Sequence, residues 1–204
     1  MFVLYAIVVG LLLGRLSGGS LTGLAELRIR WGPIILGGLV FQVVLFSGPV
    51  AERIGDLGPV LYVASTGAVL AAVLRNWRIV GLPIVALGAA SNALAILANG
   101  GFMPTSAAAL EALGKIVPTN YSNSSFVAHP ALQPLTDIFA VPHPLPFANV
   151  FSIGDVLIAV GVTIVLVVAM RTRTPRAVPP PEPPAAPTPP SDGPPVGPPV
   201  VEVA

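Results

Sequence analysis

The sequence predicts an all-α fold: a polytopic bundle of about five transmembrane helices, with a compact extracytoplasmic loop and a disordered proline-rich C-terminal tail. Three observations carry that expectation. Of 204 residues, 54% are hydrophobic and only 9% are charged, where an average soluble domain carries about 25% charge. The mean hydropathy is +0.85. The apolar residues gather into runs approaching membrane-spanning length, and the few charges fall between them. A water-soluble globule with this many long buried helices would need far more polar surface than the chain possesses.

Residues 1–14 are apolar from the start, and Arg15 is the first charge. A cleaved secretory signal begins with a basic segment, so this run is expected to be a retained first span, although about 20 residues cross a bilayer comfortably. Four further runs follow at 33–48, 57–74, 79–98 and 150–170. Trp31 flanks the second at a position suited to the interface. Between the first two runs, residues 21–30 place Leu21, Leu24, Ala25 and Leu27 at helical spacing among Glu26, Arg28 and Arg30. A short interfacial helix and an ordinary connector are both open there. Gln42, Ser65 and Thr66 sit near the middles of spans two and three, where polar groups are costly and belong in interhelical hydrogen bonds.

The connectors orient the bundle. Arg15, Arg28, Arg30, Arg75, Arg78, Arg171, Arg173 and Arg176 fall on one side of a five-span topology, against Arg53 and Lys115 on the other. The positive-inside rule then puts the C-terminus in the cytoplasm and the N-terminus outside. Hydropathy and charge lead independently to the same odd number of spans.

The expected domains are a bundle over 1–171, including an outer loop over 99–151, and a tail over 172–204. From Pro175 onward, 13 of 30 residues are proline, which favours extended polyproline II and leaves few donors for regular structure. Its P-x-x-P spacings suit an aromatic-lined groove, but any proline-rich run generates them. The outer loop is richer, holding Phe102, Phe126, Phe139, Phe147 and Tyr121. Within it, residues 106–116 read as a short helix capped by Thr105.

Cysteine is absent and histidine occurs only as His129 and His143, which removes disulfides, thiolate catalysis and Cys-ligated metals. No cofactor, metal site, phosphate-binding glycine loop or basic nucleic-acid patch is expected. The candidate ligand-binding residues are Asn92, Asn99, Gly100, Gly101, Asp137 and Asp155. Gly88, Asn92, Ala95 and Asn99 share one face of span four. Small residues and amides there serve helix packing, or they line an outward-opening polar pocket. Ser152 and Asp155 fit the capping box at the start of span five, or Asp155 forms a proton or cation site with a span-four amide or Asp137.

The segments 91–104 (SNALAILANGGFMP) and 151–155 (FSIGD), joined across a proline-containing outer loop, resemble a family of small bacterial multi-pass membrane proteins described only as a domain of unknown function. The resemblance covers roughly 1–171, excludes the tail, and implies a bacterial inner-membrane location without an activity. The leading functional expectation is a non-enzymatic accessory or scaffold subunit. Its partners would be the lipid bilayer, a protein or second copy meeting the small-residue face of span four, and a partner for the tail. The alternative is a small-molecule transporter or ligand-binding protein with an outward polar pocket between spans four and five. An intramembrane enzyme using Asp137, Asp155 or His143 as a base has the thinnest support.

Overall fold

The computed structural model describes residues 2–113, 124–126, 129–142, 145–146 and 148–172. Lys115, His143 and the proline-rich segment from residue 173 onward lie outside the described residues. Every described residue lies in one compact unit, Met1–Thr174.

Eight helices form among the described residues: α1 (Val3–Leu16), α2 (Leu21–Ala25), α3 (Gly32–Leu45), α4 (Gly48–Ile54), α5 (Leu57–Leu74), α6 (Leu82–Ala98), α7 (Ala107–Ala112) and α8 (Ile153–Arg171). Their starts follow from local chemistry. Pro33, Pro49 and Pro83 sit in the first turns of α3, α4 and α6, where the missing N–H costs nothing and the fixed φ favours a helix. Gly81, at φ +96°, turns the chain into α6. That turn is why α6 begins at Leu82 and the apolar run from residue 79 yields only 17 helical residues. At 1.5 Å per residue this is about 26 Å, against a hydrocarbon core of about 30 Å.

Each of the five apolar runs contains a helix, but their lengths differ from the five full spans expected. α5 and α8 are long and apolar enough to cross a membrane. The pair α3 and α4, bent by 81° at its break, supplies a third candidate if it is one span, while α1 and α6 are shorter apolar helices. Ser47, Gly48 and Pro49 explain the bend: the chain leaves α3 and Pro49 opens a new helix. Of the two readings left open for 21–30, a short helix forms over Leu21–Ala25 and the remainder connects it to α3.

The helices pack as a row, α1–α8–α6–α5–α3. Both ends of the row, through Phe2 and Val3 of the α1 segment and Ile35, Leu39 and Gln42 of α3, line the same cavity. The row therefore curls around that cavity. One core cluster, Val73, Leu82, Val85, Ala86 and Val165, joins α5, α6 and α8. The outward faces stay apolar: Val8, Leu12, Leu36, Val43, Val60, Leu87 and Leu94 are all exposed. In water, leaving side chains of this size exposed forgoes roughly 1.5–3 kcal/mol each, so these faces suit a lipid environment.

The α6–α8 contact is close. A Cβ on Gly161 would meet Val85 Cγ2 at 2.6 Å and the Gly81 carbonyl at 2.7 Å, and one on Gly88 would press on the Gly154 carbonyl. Four glycines at seven-residue intervals, two on each side, bring the backbones together as small-residue stripes do between membrane helices. On the α6 face expected to meet a partner or a second copy, Gly88 and Asn92 meet α8 of the same chain, Ala95 packs with Met103 and Asn99 bonds to Ala131.

The outer loop departs from the all-α expectation. β1 (Met103–Thr105) pairs in parallel with β2 (Ser124–Phe126), Met103 opposite Ser124. β3 (Phe139–Val141) pairs antiparallel with β4 (Asn149–Phe151), Phe139 opposite Phe151. A single bridge joins Thr105 to Asp137. Three-residue strands carry too little pattern to be read from sequence. Thr105 is also not the cap of α7: it lies in β1, and Ser106 accepts the Ala109 N–H instead. Phe2 stacks on Phe151 at 4.3 Å, Phe139 also stacks on Phe151 at 5.4 Å, and Tyr5 donates to the Pro146 carbonyl. These contacts fasten the start of α1 to the β3–β4 hairpin.

Candidate functional site

The cavity enclosed by the row has a volume of about 380 Å³, within the range of small-molecule sites. Its walls are largely aliphatic, including Val69, Val73, Val85, Ile158 and Val162. Its polar lining comes from Asn92, Asp137, Asn149 and Asp155 toward the loop, and from Gln42 and Thr66 on the α3–α5 side. Phe2 and Tyr62 add aromatic surface. Seven residues separate Asn92 from Val85 on α6 and Asp155 from Val162 on α8. The apolar part therefore runs about 10 Å below the acidic end.

Asp155 owes its position to the start of α8. Ser152, fully buried, accepts the Asp155 N–H at 3.1 Å, and Asp155 Oδ2 accepts the Ser152 N–H at 2.9 Å, completing the expected capping box. A cap of this kind is worth about 1 kcal/mol, and an acidic group suits the positive end of the helix dipole. Asn92 ties the cap to α6. Its Nδ2 donates to Asp155 Oδ1 at 3.1 Å, and the Ser152 hydroxyl donates to its Oδ1 at 2.8 Å. The opposite amide orientation would set two acceptors against each other at Asp155, so the carboxylate fixes this one. Gly154 is required beside them, since a Cβ there would strike the Asn92 amide.

Both Asp155 oxygens thus accept from neutral groups, Oδ2 from the Ser152 backbone N–H and Oδ1 from the Asn92 amide. Among the described residues lining the cavity there is no Lys, Arg or His. Asp137 approaches from the loop, 5% exposed, its backbone held by Pro104 and Ser106 through bonds of 2.9 and 3.0 Å.

Of the six residues expected to bind a ligand, Asn92, Asp137 and Asp155 share this cavity. Asn99, Gly100 and Gly101 do not line it. Asn99 Nδ2 donates to the Ala95 and Ala131 carbonyls at 2.7 and 2.9 Å, and its Oδ1 accepts the Ala131 N–H at 2.9 Å, clipping the outer loop to the end of α6. Gly100 and Gly101 have positive φ, and the Gly101 N–H reaches the Ile96 carbonyl at 2.9 Å. Together they form the glycine terminus of the helix. Gly101 also abuts Pro59 at the start of α5. His129 is exposed.

Gln42, as expected, spans α3 to α5, donating toward Ser65 Oγ and Thr66 Oγ1 at 3.2 and 3.3 Å. Asn149 and Phe2 join the site without a signal in the sequence. Asn149 is one amide in a loop of many polar residues, and Phe2 gains its role only by stacking on Phe151, 149 positions away in the chain.

No curated protein and no solved structure matches the chain. One family model does, over residues 26–167, and it takes in α3 to α7, the outer loop and most of α8. That stretch exceeds two-thirds of the chain and contains both halves of the Asn92–Asp155 pair. The chain belongs to this family, a family of unknown function (DUF5317).

Proposed function

We propose that this chain is a five-span cell-membrane protein, N-terminus outside and C-terminus in the cytoplasm, that binds a small molecule with a largely apolar body in the cavity enclosed by the row of helices. The observation that carries the reading is the cavity itself: about 380 Å³, with an aliphatic body and one acidic, amide-lined end. Such a site, apolar with a few convergent polar groups, is the usual form of a ligand pocket. The eight-to-two division of basic residues supports the orientation. It turns the ends bearing Arg28, Arg30, Arg75 and Arg78, with exposed Trp31 and Trp77, to the cytoplasm. The outer loop and the acidic end of the cavity then face outward. α1 and α6 cross as short spans whose ends are met by local thinning of the bilayer.

The test is retention. Wild-type protein purified gently from its membrane is expected to carry a stoichiometric small molecule, detected by mass spectrometry of the denatured sample. Val162→Phe, which fills the cavity from α8, is expected to lose it while keeping its helical content. An identical set of retained molecules in both samples contradicts the reading.

A second reading, an accessory subunit of a membrane complex, is favoured by α3. It packs mainly on α5, and Leu45 is its one buried residue, while Leu36 and Val43 are 66% and 74% exposed. The same purification reports on it through a stoichiometric second protein.

A further inference from the structure

We infer that the ligand of this cavity is an organic ammonium ion: a positively charged amine carried on an apolar body. The inference rests on the ligand-binding reading above and names its chemical class. Asp155 lines the cavity, and among the described residues the groups that donate to it, the Asn92 amide and the Ser152 backbone N–H, are neutral. Hydrogen bonds and the helix terminus orient this carboxylate without supplying a full opposite charge. A carboxylate bordering an apolar cavity gains most from a cation, because attraction strengthens as the surroundings dry.

The aromatic lining favours the same class. Phe2 and Tyr62 border the cavity, and Phe2 is held in place by its stack on Phe151. An aromatic face attracts ammonium groups and offers nothing comparable to an anion. The remaining lining selects the other end of the ligand. Below the acidic end the walls are Val69, Val85, Ile158 and Val162, over a depth of about 10 Å. This matches a short alkyl or aryl-alkyl chain. A free inorganic cation would leave those walls unfilled, and an anion would face Asp155 unpaired.

Two sources present this chemistry, a free hydrophobic amine and the amine headgroup of a membrane lipid. The experiment is equilibrium dialysis of the full chain in phosphatidylglycerol nanodiscs against 4-phenylbutylammonium, 4-phenylbutanol and 4-phenylbutyrate, with protein-free nanodiscs as the baseline. The ammonium probe is expected to bind about tenfold or more tightly than the alcohol, with the carboxylate weakest. Asp155→Asn preserves the acceptor for Ser152 and is expected to bring the ammonium down to the alcohol. Val162→Phe is expected to remove all three.

Adding phosphatidylethanolamine to the nanodiscs identifies the source. Competition with the probe points to the lipid amine, and undiminished probe binding points to a free amine; either supports the ammonium class. Equal binding of ammonium and alcohol, both lost in Val162→Phe, overturns the ammonium inference and leaves the cavity reading intact. Ammonium binding unaltered in Asp155→Asn overturns it as well. Absence of any binding sensitive to Val162→Phe overturns both.

Discussion

Three asparagines do different work in this bundle, and their neighbours show why. Asn92 bridges α6 to the first turn of α8, and Asn99 clips the outer loop to the end of α6. Asn76, 5% exposed, does the equivalent at the opposite end. Its Oδ1 accepts the Arg30 N–H at 2.8 Å, and its Nδ2 donates to the Arg30 and Ala72 carbonyls, each at 2.7 Å. That clamp holds the chain at Trp31, which enters α3 through a left-handed conformation at φ 59°. Asn76→Asp keeps the shape but replaces both donations with an oxygen facing two carbonyls. It is expected to destabilise the protein by about 1–3 kcal/mol, read as a lowered thermal midpoint in detergent. An unchanged midpoint would show that the clamp contributes nothing. Asn92 and Asn99 are legible in the sequence because they stand in an otherwise apolar helix. Asn76 lies in a polar connector, where a buried amide looks like any other, and Arg30 is 46 positions away.

At the scale of elements, the fit of α8 against α6 depends on the absence of four side chains. Gly81, Gly88, Gly154 and Gly161 leave no room for a Cβ, whereas one on Gly37 of α3 would meet nothing within 4 Å. The two kinds of glycine predict opposite outcomes. Gly154→Ala is expected to cost about 1–3 kcal/mol through overpacking. Gly37→Ala is expected to be neutral or to gain up to roughly 1 kcal/mol through helix propensity. Parallel thermal melts of the two variants in one detergent check this, and equal midpoints would contradict the packing account. The α6 stripe is visible in the sequence, since periodicity marks a face, but what covers the face is not. Gly154 and Gly161 repeat at the same seven-residue interval, but the pairing of α6 with α8 joins segments about 60 residues apart. The helices are legible from hydropathy and their starts from proline and the capping box. Bends such as the 81° break at Ser47, and three-residue strands paired across the loop, depend on contacts that no local pattern encodes.

For the whole molecule, the central feature is the proposed ligand site: a cavity within the curled row of helices, with Asn92 and Asp155 at its acidic end, which the proposed orientation turns outward. The absence of cysteine from the chain makes that accessibility directly measurable. Ala89 lines the cavity, whereas Ala95, on the same helix, is 0% exposed. Each is replaced in turn by cysteine, and the rate of reaction with a small methanethiosulfonate added from outside intact cells is measured. Ala89→Cys is expected to react about tenfold or more faster than Ala95→Cys, in proportion to thiol access, and to be protected by 4-phenylbutylammonium. Equal rates at the two positions, with no protection, would contradict an open, outward-facing ligand site.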